Sequence, residues 1–135
     1  MWVDKIWGRT RELINSPFYS RSELDVIAGG YCSLHYHRSR ANRFLIGTAR
    51  IRVIMMYGPK VDVCDLGPDN LLDVPSLVPH MFCVYAAGSV IEEYYPDRGG
   101  VVEQNDIIRL YEGGWLAMDL LGGLPQVLFT DSVQY

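Results

Sequence analysis

Turn-forming glycine and proline residues recur in this chain at short, regular intervals, and their spacing limits the folds that the chain can adopt. From Tyr19 onward, turn signals recur about every 8–12 residues and separate short runs of apolar and β-branched residues. The turn segments include Ala28-Gly29-Gly30, Gly47-Thr48, Gly58-Pro59, Gly67-Pro68-Asp69, Pro75 to Pro79 and Ala87-Gly88-Ser89. No helical repeat lies between them. The pattern predicts an all-β, antiparallel sandwich or barrel.

A length of 135 residues suits one domain with a substantial core. We expect a single domain over residues 1–135, with the barrel core at about residues 19–112 and a short helix or irregular lead-in over about residues 9–19. The tail, residues 113–135, is rich in apolar side chains such as Trp115, Leu121 and Phe129. Because such a tail would be a liability in solvent, we expect it to pack on the barrel or on a second copy of the chain, in a homodimer.

Composition excludes several classes of partner. The net charge is −4 and the isoelectric point is near 5.2, which argues against a nucleic-acid-binding protein. No apolar run is long enough to span a membrane.

The cysteines indicate the redox state of the protein. There are three of them, Cys32, Cys64 and Cys83, and they are widely spaced. This pattern favours reduced thiols in a cytoplasmic protein over a disulfide framework.

The three histidines of the chain fall in a pattern that suggests a metal site. His35 and His37 flank one residue, so on a β-strand their side chains lie on the same face. His80 follows the Pro75–Pro79 turn segment and begins another predicted strand. Two imidazoles from one strand and a third from a distant strand can converge on one divalent metal ion.

The same alternation predicts which side chains line a pocket beside the histidines. If His35 and His37 face inward, the strand alternation turns Tyr31 and Ser33 inward as well. Phe44 and Phe82 share the inner face on their own strands, and Tyr85 is a further candidate for the pocket lining. An interior that holds both aromatic rings and imidazoles is typical of a small barrel with one ligand pocket.

Several segments together resemble a known family. They are Trp7-Gly8, the Gly30 to His37 segment that ends in His35-Tyr36-His37, Gly47-Thr48-Ala49-Arg50, the Pro75 to His80 segment, and Asp106-Ile107-Ile108-Arg109. Over about residues 5–112 the chain resembles the cupins, and most of all the cupin domain of type II mannose-6-phosphate isomerases. The resemblance implies a cupin-type jelly-roll β-barrel with a divalent metal ion inside.

Two positions depart from the cupin pattern. Asn42 stands where the family has a glutamate ligand, and Leu77 stands where its second motif has a glycine. The resemblance therefore implies a metal site of three neutral imidazoles. Asn42 either adds its amide carbonyl oxygen as a weak ligand or contacts the ligands without binding the metal itself. Zinc, iron, manganese and nickel all remain open as the metal.

The resemblance also implies roles for two charged residues. Glu92 lies where the relatives carry a glutamate, and it is the candidate base of a sugar or sugar-phosphate isomerase or epimerase. Arg40 matches a motif arginine and is the candidate phosphate clamp. One alternative is a three-histidine iron dioxygenase acting on a small organic substrate. Another is a protein that binds a small ligand without catalysis.

Overall fold

Antiparallel β-strands make up the whole regular structure of the part of the chain that the computed structural model describes, residues 1–97 and 106–115. The strands before the first histidine are β1 (Val3–Lys5), β2 (Gly8–Ser16), β3 (Tyr19–Val26) and β4 (Gly30–Tyr31). Next come β5 (Leu34–His37), β6 (Arg40–Ile46), β7 (Arg50–Tyr57), β8 (Lys60–Leu66) and β9 (Leu71–Val74). The remaining strands are β10 (His80–Ala86), β11 (Gly88–Pro96), β12 (Ile107–Tyr111) and β13 (Gly114–Trp115). The predicted all-β, antiparallel class is confirmed.

The first sheet has six strands in the order β1-β2-β3-β11-β6-β9. Its centre is β11, which pairs with β3 on one side and β6 on the other, so that Tyr94 lies opposite both Ser20 and Asn42. The sheet begins at Val3, and β2 pairs with β3 along nearly its whole length. The expected helix or irregular lead-in before residue 19 is therefore wrong, because those residues extend the sheet.

The second sheet is built around β10. One side of β10 pairs with β7, which in turn pairs with β8. The other side pairs with β5 at His80 and with β4 at Cys83, and these two short strands are followed outward by β12 and β13. The break between β4 and β5 matters for the site, since strand alternation does not carry across it.

The core lies between the two sheets. Leu24 and Phe44 of the first sheet are almost fully buried, as are Val53 and Phe82 of the second. The rings of Phe44 and Phe82 meet edge to face with their centroids 6.1 Å apart. Among the described residues there is no helix long and apolar enough to cross a membrane. Apart from Gly113 to Trp115, the predicted apolar tail lies outside the described residues.

Candidate metal centre and cavity

Strand β5 and the start of β10 bring the three histidines together. His35 and His37 share one face of β5, and His80 pairs with His35 across the β5–β10 ladder. One ring nitrogen from each histidine lies within 4.8 Å of the others. The ring centroid of His35 is 5.0 Å from that of His37 and 4.5 Å from that of His80. The predicted convergence of the three side chains is thus present in the structure.

Burial keeps all three imidazoles neutral. Desolvation, reinforced by the neighbouring imidazoles, lowers the pKa of His35 to about 2. Desolvation and the nearby Arg40 cation lower the pKa of His37 to about 2. Desolvation lowers the pKa of His80 to about 4, although its hydrogen bond with the backbone of Val78 acts in the opposite direction. Neutral imidazole is the form that binds a metal ion.

Backbone hydrogen bonds fix the tautomers of His35 and His80. The Nδ1 atom of His35 lies 2.7 Å from the carbonyl oxygen of Ser33, and that of His80 lies 2.9 Å from the carbonyl oxygen of Val78. A carbonyl oxygen only accepts, so each Nδ1 carries the hydrogen and each Nε2 keeps its lone pair. The buried Nε2 of His37 has no hydrogen-bond partner in the structure. A buried ring nitrogen without a hydrogen-bond partner, beside two nitrogens that keep their lone pairs, is a suitable metal ligand.

Asn42 lies beside this cluster and is fully buried. Its Oδ1 is 3.2 Å from the Nε2 atom of His80, while its Nδ2 donates to the carbonyl oxygen of Glu93 at 3.4 Å. Because Nδ1 of His80 carries the hydrogen, Nε2 of His80 and Oδ1 of Asn42 are both acceptors. Two acceptors at this distance repel each other, and a cation bound by both would stabilise the pair. The donor set, three neutral imidazoles with an amide oxygen alongside, fits a divalent metal ion.

A cavity of about 380 Å³ adjoins the cluster. His35 faces the cavity, whereas His37 and His80 do not line it and are more deeply buried. The other lining residues are Lys5, Ile6, Trp7, Thr10, Ser22, Leu24, Cys32, Ser33, Phe44, Phe82, Glu92, Tyr94, Ile107, Arg109 and Gly113. Ser33, Phe44, Phe82 and Glu92 were proposed from the sequence, and the structure places all four there.

Glu92 and Tyr94 form a polar pair inside the cavity. Desolvation raises the pKa of Glu92, although hydrogen bonds from Tyr94 and Asn42 partly oppose that shift. Desolvation and the Glu92 carboxylate raise the pKa of the Tyr94 hydroxyl well above its usual value. The cavity therefore holds a carboxylate that takes up a proton more readily than an exposed one, next to a neutral phenol.

Three sequence-based assignments require correction. Arg40 is buried and its Nε lies 2.9 Å from Oδ1 of Asp106, so its charge is already paired and it does not line the cavity. Tyr85 lies on the opposite face of β10 from His80 and Phe82, is 41% exposed, and lines a separate surface hollow. Tyr31 is half-buried and does not line the cavity, because the break between β4 and β5 turns Cys32 inward in its place.

Comparison with known proteins identifies the fold. No family model matches the chain, and no curated protein matches it in sequence. Among solved structures, oxalate decarboxylase of Bacillus subtilis superposes with a TM-score of 0.67 at 16% identity, covering 98% of this chain and 34% of that one. KdgF of a Halomonas species gives 0.63 at 13% identity, covering 73% of this chain and 89% of that one. The Streptomyces protein PAC13, solved with uridine, gives 0.67 at 9% identity, covering 83% and 84%. The chain has the cupin fold. It spans about a third of the oxalate decarboxylase chain.

Sequence reasoning missed two cations at the cavity of this cupin fold. Lys5 comes from the β1–β2 hairpin, and Arg109 lies opposite His35 in the β5–β12 ladder. Neither has an ion-pair partner among the described residues, whereas five other arginines do. The segment Asp106-Ile107-Ile108-Arg109 was singled out in the sequence, and alternation from Ile107 would have placed Arg109 on the cavity side.

Trp7 was also missed as a wall of the cavity. Its ring meets Phe82 edge to face with the centroids 5.3 Å apart. The backbone of Trp7 passes so close to β4 that a Cβ atom on Gly30 would lie 2.7 Å from the Cα atom of Trp7. Glycine is therefore required at position 30, because a side chain there would displace Trp7 from the cavity.

Proposed function

We propose that this cupin binds a divalent metal ion and catalyses proton transfer on a small sugar or sugar phosphate, as an isomerase or epimerase. The observation that carries the proposal is the position of Glu92, a carboxylate with a raised pKa, in the cavity that His35 faces. Resemblance to the cupin domain of mannose-6-phosphate isomerases supports the reaction class.

His35, His37 and His80 would hold the metal ion through their Nε2 atoms, with Asn42 offering its amide oxygen. A divalent ion bound there supplies positive charge against a carbonyl or hydroxyl oxygen of the substrate. Everything else in the reaction is assigned to groups of the chain itself.

Glu92 is the proposed base. Such a reaction removes a proton from the carbon next to a carbonyl group and returns it to the neighbouring carbon or to the other face of the same carbon. The raised pKa of Glu92 brings its proton affinity closer to what this transfer requires, and the hydrogen bond with Tyr94 holds the carboxylate in one orientation. The apolar wall formed by Trp7, Phe44 and Phe82 limits water at the base.

Lys5 and Arg109 are the proposed contacts for an anionic group of the substrate, in place of Arg40. Both line the cavity and have no ion-pair partner among the residues that the structure describes. The cationic side chains exceed the single lining carboxylate by one charge, before any metal ion is counted. An unpaired guanidinium can bind a phosphate or carboxylate group with two parallel hydrogen bonds.

The proposal is tested by proton exchange. The protein is purified without a nickel column, its metal content is measured, and it is incubated with mannose 6-phosphate or fructose 6-phosphate in D₂O. We expect deuterium to enter the substrate at the carbon next to the carbonyl group. Glu92→Gln should slow this exchange at least roughly a hundredfold while leaving the bound metal in place. Glu93→Gln, on the opposite face of the same strand, is the matched control.

The two alternatives predict different outcomes. A protein that contains iron, consumes oxygen and exchanges no substrate proton would be the three-histidine dioxygenase. One observation favours this alternative: Asn42 lies 3.2 Å from Nε2 of His80, at the position where the cupin pattern has a glutamate ligand. A protein that binds the ligand but shows neither exchange nor oxygen uptake would be a binding protein without catalysis.

A further inference from the structure

Asp106 is the most heavily hydrogen-bonded carboxylate near the cavity, and the proposed mechanism gives it no role. Its side chain is fully buried. Its Oδ2 accepts hydrogen bonds from the backbone amide and the hydroxyl of Ser39, each at 3.1 Å. Its Oδ1 lies 2.9 Å from Nε of Arg40 and 3.3 Å from Nδ1 of His37. The carboxylate thus joins the β5–β6 turn to the start of β12.

Nδ1 of His37 has two possible hydrogen-bond partners at the same distance. It lies 3.3 Å from Oδ1 of Asp106, to which it can donate, and 3.3 Å from Nε of Arg40, from which it can accept. Accepting from Arg40 would place the His37 hydrogen on Nε2, which is buried and has no acceptor. Donating to Asp106 leaves only a lone pair at Nε2, and a buried N–H group without a partner is the rarer and costlier state. Nε of Arg40, 2.9 Å from Oδ1, then keeps its ion pair with the same carboxylate.

The Asp106–Arg40 pair also reaches the acid–base side of the cavity. The guanidinium of Arg40 lies over the ring of Tyr94, with Cζ 3.9 Å from the centroid. The ring of His37 meets the same tyrosine edge to face at 5.1 Å. One buried ion pair therefore supports both a proposed metal ligand and the tyrosine that hydrogen-bonds Glu92.

We infer that Asp106 is a positioning residue that holds His37 in its Nδ1–H tautomer and so keeps the Nε2 lone pair of His37 available to a divalent metal ion. The inference rests on the metal-binding part of the proposed function. It requires no particular substrate, and it makes β12 a component of the metal site.

Asp106→Asn is the informative substitution because it keeps the shape and changes the donors. An amide group replaces one carboxylate oxygen, so a donor now faces either Ser39 or the pair formed by His37 and Arg40. Where it faces His37, it donates to Nδ1 and forces the hydrogen onto Nε2, which removes the metal-binding lone pair. In the opposite orientation the amide NH₂ group faces the backbone N–H of Ser39, so two donors lie next to each other without an acceptor.

The chain contains a matched control of the same three residue types. On the outer side of the first sheet, Nε of Arg43 pairs with Oδ1 of Asp73 at 2.7 Å, and the Tyr95 hydroxyl donates to the same oxygen at 3.1 Å. Arg43 also lies over the ring of Tyr95, with Cζ 5.4 Å from the centroid. Asp73→Asn breaks an equivalent Asp–Arg–Tyr group without touching a histidine.

Two measurements test the inference. Nitrogen-15 shifts of the imidazole rings in metal-free protein report the tautomer, with the His37 signals assigned by their loss in His37→Gln. Titration calorimetry with Zn²⁺ and with Mn²⁺ reports the metal affinity. We expect Nδ1–H for His37 in the native chain, a shift toward Nε2–H in Asp106→Asn, and an affinity lower by at least roughly tenfold. Asp73→Asn should leave the tautomer unchanged and the affinity within about twofold.

An Nε2–H tautomer for His37 in the native, metal-free chain overturns the inference without any variant, even if Asp106→Asn does not fold. So does an Asp106→Asn protein that folds and keeps both the native tautomer and the native affinity. A native chain that shows the Nδ1–H tautomer but binds neither ion contradicts the proposed function and leaves the orienting role of Asp106 supported.

Discussion

The backbone amide of Leu77 donates a hydrogen bond of 2.7 Å to the carbonyl oxygen of His37. To do so, Leu77 adopts a left-handed conformation with φ of +67°, which disfavours every residue except glycine and, to a smaller extent, asparagine or aspartate. This geometry favours glycine at position 77, and it ties the turn before β10 to a proposed metal ligand.

Replacing Leu77 with glycine should therefore stabilise the protein. The left-handed conformation of a leucine is unfavourable by about 1–2 kcal/mol, and glycine removes this strain. Glycine also makes the unfolded chain more flexible, which offsets part of the gain in stability. Leu77 is about half exposed, so little packing is lost. We expect a gain of roughly 0.5–1 kcal/mol in the free energy of unfolding, measured by urea denaturation. Leu71→Gly, at an exposed leucine within β9, should instead destabilise the protein.

Acid should unfold the metal-free protein through its histidines. Their folded-state pKa values of about 2, 2 and 4 lie below the ordinary value of 6.5, so the unfolded chain binds more protons. The contribution of the neutral histidines to the free energy of unfolding is fully present above about pH 6.5. It falls as the pH decreases toward 4 and below, by up to about 1.4 kcal/mol per pH unit for each histidine. Urea denaturation at a series of pH values measures the slope. His35→Gln should reduce it, and an unchanged slope would contradict the assignment.

Asn42→Asp should tighten metal binding. The substitution keeps the shape of the side chain and adds a charged oxygen beside three neutral nitrogens, so the affinity for Zn²⁺ or Mn²⁺ should increase by at least about tenfold. The metal-free variant should be less stable by roughly 1–3 kcal/mol, since a fully buried amide becomes a charge. Asn70→Asp, in a surface turn, is the control. Equal calorimetric affinities for Asn42→Asp and the native chain would place Asn42 outside the coordination sphere.

We also propose that the protein is a homodimer. Strand β2 and the turn after it expose Leu13, Ile14 and Phe18, the last with 67% of its surface accessible. Apolar side chains grouped near a sheet edge are suited to a two-fold contact that buries more than roughly 1,000 Å². Light scattering at micromolar concentration should give a mass near twice the 15.3 kDa of the chain. A mass equal to that of one chain would refute the dimer.

Local sequence patterns predicted the structure correctly wherever a strand continued without a break. Strand alternation placed His35 and His37 on one face, and the turn residues indicated the antiparallel strands. The same rule failed for Tyr31 because two residues outside a strand separate β4 from β5. For β2 it gave no signal, since Arg9 to Asn15 shows no apolar alternation and lies largely exposed at the side of a sheet.

The environment of Arg40 could not be predicted in the same way. Whether its guanidinium is free or neutralised depends on Asp106, which is 66 positions away and reaches Arg40 only when β12 pairs with β5. Long-range pairing of this kind has no local pattern in a single sequence. For the same reason Lys5 and Arg109, from the two ends of the described chain, could not be assigned together to one cavity.

The pairing of His37 with Asp106, 69 positions apart, also governs when the site can form during folding. His35 meets His80 only after β10 has been made, and the last support arrives with β12. Closing such large loops is slow, typically milliseconds to seconds for all-β domains. A chain emerging from the ribosome could therefore not assemble the complete metal site until residue 106 had been released. Metal loading should consequently follow the folding of the barrel rather than initiate it.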